Sequence, residues 1–136
     1  MGLIKNIFRG TSENHHSSDI NWIILKDFSQ LDDIVEASDK KPIAIFKYRN
    51  RCGLRRMVLK ELERRHELIE NEPGWYFLDL IKFREVSNEV SDRFKVRHES
   101  PQLIVIKGGE VVYHDSHSAI DINALKKTLF KENLRL

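Results

Sequence analysis

The run Pro42-Ile43-Ala44-Ile45-Phe46 constrains the fold more than any other stretch of this chain. Successive apolar residues without alternation fit a strand covered on both faces, and such a strand needs helices on either side of its sheet. Ahead of it, Trp22-Ile23-Ile24-Leu25 reads as a first short strand. Ser29 stands where an N-cap belongs, before Leu31, Ile34 and Val35 at helical spacing. After Cys52 and Gly53, the apolar residues Leu54, Met57, Val58, Leu62, Leu68 and Ile69 predict one long helix ending at Asn71-Glu72-Pro73-Gly74.

Trp75 to Ile81 is aromatic and apolar enough for a third strand, and Val86, Val90 and Phe94 mark a helix by their spacing of four. Gln102 to Lys107 and Val111 to His114 flank Gly108-Gly109, a hairpin signal whose turn needs positive φ. Ile122, Leu125, Leu129 and Phe130 then form the apolar stripe of a C-terminal helix that Asp121 can cap. The order βα, βαβα, ββα predicts parallel pairing first and an antiparallel hairpin last. The expected fold class is α/β, a thioredoxin-like three-layer α/β/α sandwich with a mixed sheet.

A chain of 136 residues fits one core. Gly10 to Asp19 is polar with nothing to bury, so residues 1–19 are expected to be a flexible N-terminal segment and 20–136 the domain. Met1 to Phe8 is apolar but short, lacks a small-residue cleavage site, and carries Asn6 where a myristoylation motif wants Ser or Thr. With no run of roughly 18 apolar residues either, the expectation is a soluble protein with no membrane partner. The single cysteine cannot close an intramolecular disulfide, which points to a reducing cytoplasm rather than a stapled secreted scaffold. A net charge of only +2 means that any nucleic-acid role would need a concentrated basic patch.

Cys52 sits in the one candidate patch, Phe46-Lys47-Tyr48-Arg49-Asn50-Arg51-Cys52-Gly53-Leu54-Arg55-Arg56, between a buried strand and the first turn of a helix. Free backbone N–H groups and the positive end of the helix dipole favour an anion there, and Lys47, Arg49, Arg51 and Arg55 add cationic charge. Each effect favours thiolate over thiol. A free cysteine is most often a small buried hydrophobe, but so many charges within five residues could not follow it into an apolar interior without a severe desolvation cost. A reactive cysteine is the expectation.

The strand-loop-helix segment Ile45 to Cys52, the block Val96-Arg97-His98-Glu99-Ser100-Pro101-Gln102 and the hairpin Lys107-Gly108-Gly109-Glu110-Val111-Val112 with His114 to His117 after it make the chain, over roughly residues 20 to 131, resemble the YtxJ family of bacillithiol-system, monothiol bacilliredoxin-like proteins. The resemblance implies a thioredoxin fold, Cys52 as the redox cysteine and Pro101 as a cis-proline facing it. Its loop usually carries His and Ser after the lysine and Ser three residues after the cysteine, where this chain has Tyr48, Arg49 and Arg55. The expected chemistry is removal of bacillithiol, or a similar low-molecular-weight thiol, from S-thiolated client proteins. Bacillithiol would be a co-substrate and no cofactor would be bound. Arg51, Arg55 and Lys47 are expected to attract the anionic thiol or stabilise a thiolate, unless they are solvated surface charges. Ser100 and Pro101 are expected to present backbone to an extended client segment.

The competing reading is a non-catalytic module whose basic loop around Cys52 binds an anionic ligand or protein partner. Arg64 and Arg65 would extend that patch, but Glu61, Glu63, Glu67 and Glu70 on the same helix offset them, so no nucleic-acid partner is expected. Metal binding by Cys52 with His98, His114 or His117 lacks the spacing of a structural zinc site, and no metal is expected. His66 defaults to solvent, while Trp22, Trp75 and the phenylalanines default to the core.

Overall fold

A computed structural model describes residues 20–49, 53–69, 72–116 and 120–134. The elements in chain order are β1 (Ile23–Ile24), α1 (Phe28–Ala37), β2 (Ile43–Tyr48), α2 (Gly53–Arg65) with a 3-10 turn (His66–Leu68), β3 (Gly74–Asp79), α3 (Arg84–Phe94), β4 (Gln102–Lys107), β5 (Glu110–Ser116) and α4 (Ile122–Leu134).

The strands form one sheet in the order β1-β3-β2-β4-β5. β1 and β2 both run parallel to β3, whereas β4 is antiparallel to β2 and to β5. The central position of β2 explains its composition. Ile43 and Ile45 pack with Leu31, Ile34, Val86 and Val90 beneath α1 and α3, while Ala44 and Phe46 pack with Val58, Leu62, Leu125 and Leu129 beneath α2 and α4. Successive side chains of a strand point to opposite faces, so a strand between two helical layers must be apolar at both parities. β4 does the same, with Leu103 and Val105 on one face and Ile104 and Ile106 on the other.

The hairpin turn takes φ of 63° at Gly108 and 78° at Gly109, values that only glycine adopts without strain. Its tip is tied to the end of α1, since Gly108 N–H donates to the Ser38 carbonyl at 2.7 Å and Gly109 N–H to Ser38 Oγ at 2.8 Å. At the far end of β5, Asp121 N–H donates to the Tyr113 hydroxyl at 3.1 Å and the Asp121 carboxylate caps α4 through Asn123 N–H at 2.9 Å.

Several sequence expectations are corrected. α1 is capped by Asp27, not Ser29: the Asp27 carboxylate accepts from Gln30 N–H while Gln30 Oε1 accepts from Asp27 N–H, a reciprocal capping box. Ser29 lies inside the helix and donates to that carboxylate at 2.6 Å. β1 spans two residues rather than four. α2 stops at Arg65 instead of reaching Asn71, and Met57 at 68% and Phe130 at 50% exposure lie off the apolar stripes assigned to them. Phe28 is likewise half exposed rather than core. His66 is buried, with its Nδ1 bonded to the Glu72 carboxylate that also accepts from Trp75 Nε1–H at 2.8 Å.

Candidate active site

The C-terminal end of β2 is where the chain leaves the sheet centre and enters α2, and open α/β sheets bind ligands outside such strand ends. β2 ends at Tyr48, Arg49 follows exposed, and α2 begins at Gly53. Cys52 and Arg51 lie outside the described residues, as does Asn50; Arg55 is in the first turn of α2, with its side chain outside the description. By chain connectivity, Cys52 therefore immediately precedes the first residue of a 13-residue helix.

The second wall comes from β4. Lys47 pairs with Gln102 in the last described rung between β2 and β4, so Pro101 lies one residue beyond it, at the same end of the sheet. The Ser100–Pro101 peptide is cis and Pro101 is buried. Ser100 is half-buried, and its hydroxyl has no partner among the described residues. Gln102 closes this loop on itself, its Nε2–H donating to the Arg97 carbonyl at 2.8 Å. The Tyr48 ring lies 4.2 Å from that of Phe77 and parallel within 11° to that of Phe46.

Lys47 is the largest departure from the sequence reading. It is neither a solvated surface charge nor on the face that carries α2. Its parity matches Ile43 and Ile45, so its side chain enters the α1/α3 layer and is fully buried. There Nζ donates to Ser91 Oγ of α3 at 3.2 Å and to His98 Nδ1 at 3.0 Å. None of the ion pairs among the described residues involves it. Desolvation without a carboxylate lowers its pKa to about 8. His98 is exposed on its outer side, and its pKa is lowered first by desolvation, then by the charges of Lys47 and Arg84, against a smaller opposing effect of Glu99.

The structure brings Lys47, Ser100 and Pro101 to one end of the sheet, as the family resemblance implied for Pro101, and it joins Lys47 to His98, which sequence reasoning missed. The signal was present in the phase of β2. A lysine at the parity of two core isoleucines in a two-sided strand must point inward.

Two cations at the end of α2 pair locally. Glu61 pairs with Arg64 at 3.4 Å and with Arg65 at 3.0 Å, and Arg65 also donates to Asn123 at 2.8 Å. Among the described residues, no three histidine, cysteine, aspartate or glutamate side chains gather as a metal site would require, and no helix is long and apolar enough to cross a membrane.

Comparison with known proteins agrees with this geometry. The family model for monothiol bacilliredoxin BrxC matches residues 23–125. Among solved structures, a thioredoxin-fold protein superposes with a TM-score of 0.67 at 21% identity, over 79% of this chain and 92% of that one. A thioredoxin pre-protein of Schistosoma mansoni matches with a TM-score of 0.62 at 19% identity, over 81% and 96%. Fasciola hepatica thioredoxin gives 0.62 at 19% identity, over 79% and 96%. The fold is that of thioredoxin.

Proposed function

Because the chain belongs to the monothiol bacilliredoxin family, we propose that it is a thiol–disulfide oxidoreductase that works through Cys52 alone on mixed disulfides between a client protein and a small thiol, with bacillithiol as the expected small thiol. The observation that carries this reading is positional. The only cysteine precedes the first residue of α2 at the end of the central strand, and the Ser100–Pro101 loop stands at the same end.

A cysteine there gains from the unsatisfied N–H groups and dipole of the helix, and from Arg51 and Arg55 nearby in sequence. In the first step the Cys52 thiolate attacks the small-thiol sulfur of the mixed disulfide. That S–S bond breaks, the client leaves as a thiolate, and Cys52 becomes disulfide-bonded to the small thiol. In the second step another small-thiol anion attacks the small-thiol sulfur of that disulfide. Cys52 leaves as thiolate, the product is the small-thiol disulfide, and oxidation level balances throughout. With one cysteine no internal thiol can perform the second step.

Arg51 and Arg55 are assigned to the small thiol's anionic groups and the leaving thiolate. The backbone at Ser100 and Pro101 is assigned to an extended client segment, by strand addition. Lys47, being buried and bonded to Ser91 and His98, is not assigned to either anion.

The test is release of bacillithiol from an S-bacillithiolated model protein, with excess bacillithiol for turnover. The parent protein is expected to release it catalytically and to be trapped as a Cys52 mixed disulfide when the second thiol is omitted. Cys52→Ser is expected to do neither. Release by Cys52→Ser at the parental rate would refute the assignment.

A further inference from the structure

The pair Lys47–His98 takes no part in the two exchange steps, yet it is an expensive thing to build. Among the described residues, this fully buried ammonium has two neutral acceptors and no carboxylate, although replacing a buried charge with a hydrophobe of similar volume is often neutral or stabilising. The two side chains of the last β2–β4 rung enter the same loop. Lys47 reaches the His98 ring, and Gln102 reaches the Arg97 carbonyl. Residues 97 and 98 are thereby fixed to β2 and β4, and two residues later the chain presents Ser100. An imidazole accepts at Nδ1 only when neutral.

We propose that Lys47 and His98 are positioning residues, whose hydrogen bond holds the backbone at Ser100 in the geometry that receives a client disulfide, so that protonation of His98 releases this grip. The proposal rests on the exchange activity proposed above. Protonated His98 would stand against Lys47 on β2 and Arg84 on α3, with Ser91 unable to take up a charge and, among the described residues, Glu99 the anion opposing them. The loop therefore loosens on acidification independently of any titration of Cys52.

The experiment compares two rates from pH 5.5 to 8: bacillithiol release and alkylation of Cys52 by iodoacetamide. Their ratio removes the thiolate fraction. In the parent the ratio is expected to fall as the pH drops from 7.5 to 5.5, with a midpoint below the ordinary histidine value of about 6.5. His98→Leu and Lys47→Met are expected to lower it about tenfold throughout. His98→Gln, which keeps a side-chain acceptor that cannot titrate, is expected to recover most of the loss in His98→Leu and to give a flat ratio. Persistence of the acid-side fall in His98→Gln, or a parental ratio in folded Lys47→Met, would overturn the proposal.

NMR titration of the His98 ring separates failure of the pair from failure of the redox reading. In Lys47→Met the ring is expected to titrate at a higher pH, and the amide resonances of residues 99, 100 and 102 to move. An unchanged ring titration and unchanged amides would refute the pair even in a protein without exchange activity. Absence of release by the parent, with the NMR coupling intact, would instead refute the redox reading.

Discussion

Two basic side chains are buried at opposite ends of this sheet, and their surroundings differ. At the start of β3, His66 Nδ1 meets the Glu72 carboxylate, which Trp75 Nε1–H also contacts, so an anion sits against the buried ring, whose Nε2 has no partner among the described residues. At the end of β2, Lys47 finds only a serine hydroxyl and an imidazole nitrogen among the described residues. A carboxylate-paired imidazole is an ordinary means of closing a core around a polar residue. An ammonium without an anion carries a net desolvation cost, and it persists beside the Ser100–Pro101 loop and the chain leading to Cys52. Costly groups concentrate where a protein acts, and this contrast favours the end of β2, the candidate site, over the start of β3.

The largest effect expected from this contrast is a pH dependence. Because Lys47 has a folded-state pKa of about 8 against an ordinary 10.5, the unfolded chain binds its proton more tightly. Below pH 8 the folded state bears the full penalty. Between about 8 and 10.5 the folded state has already shed the proton that the unfolded state retains, so stability rises with pH. Lys47→Met removes the effect. Its stability relative to the parent is expected to be higher near pH 7 by as much as about 3 kcal/mol, a gap that closes towards pH 10.5, measured by urea unfolding across that range. A gap independent of pH would erase the distinction between the two ends.

At the other end the sign reverses. Glu72→Ala removes the acceptor shared by His66 and Trp75 and is expected to destabilise by about 1–3 kcal/mol in the same unfolding measurement. Cys52 alkylation should be unaffected, because the site lies at the far end of the strands.

The smallest expected effect comes from charges outside either set. Arg93 on α3 pairs with Asp32 at 2.9 Å and Glu89 at 3.2 Å at the surface, and Arg93→Ala is expected to cost under about 1 kcal/mol and to become undetectable in high salt. A loss comparable to that of Glu72→Ala would mean that burial is not what distinguishes these groups.

The parts of the fold that were legible in the sequence are those where one physical signal dominates. The two-parity apolar run of β2, the Gly108-Gly109 turn and the spacing of Val86, Val90 and Phe94 each admit one element type, and each element lies where expected. Element ends were less legible, because caps compete. Asp27 and Ser29 are both good N-cap residues, and only the return bond of Gln30, which also holds the Ile24 carbonyl at 2.9 Å, decides between them. The end of α2 was misread because Leu68 and Ile69 continue a helical spacing that the His66–Glu72 contact interrupts.

At the candidate site, Cys52 lies outside the described residues, while the place of the Ser100–Pro101 block was legible through family resemblance. The Lys47–His98 bond was not, since it joins residues 51 positions apart across strand and loop, and no local pattern encodes it. What local sequence did contain was the parity of Lys47.

The most direct test of the central claim is the rate of Cys52 alkylation against pH, with Cys52→Ser as the blank. The account predicts a thiolate that titrates well below the ordinary cysteine value of about 8.5, as a redox cysteine at a helix N-terminus requires. A midpoint at or above that value, with slow alkylation, would contradict it and leave a thioredoxin fold that binds without exchanging thiols.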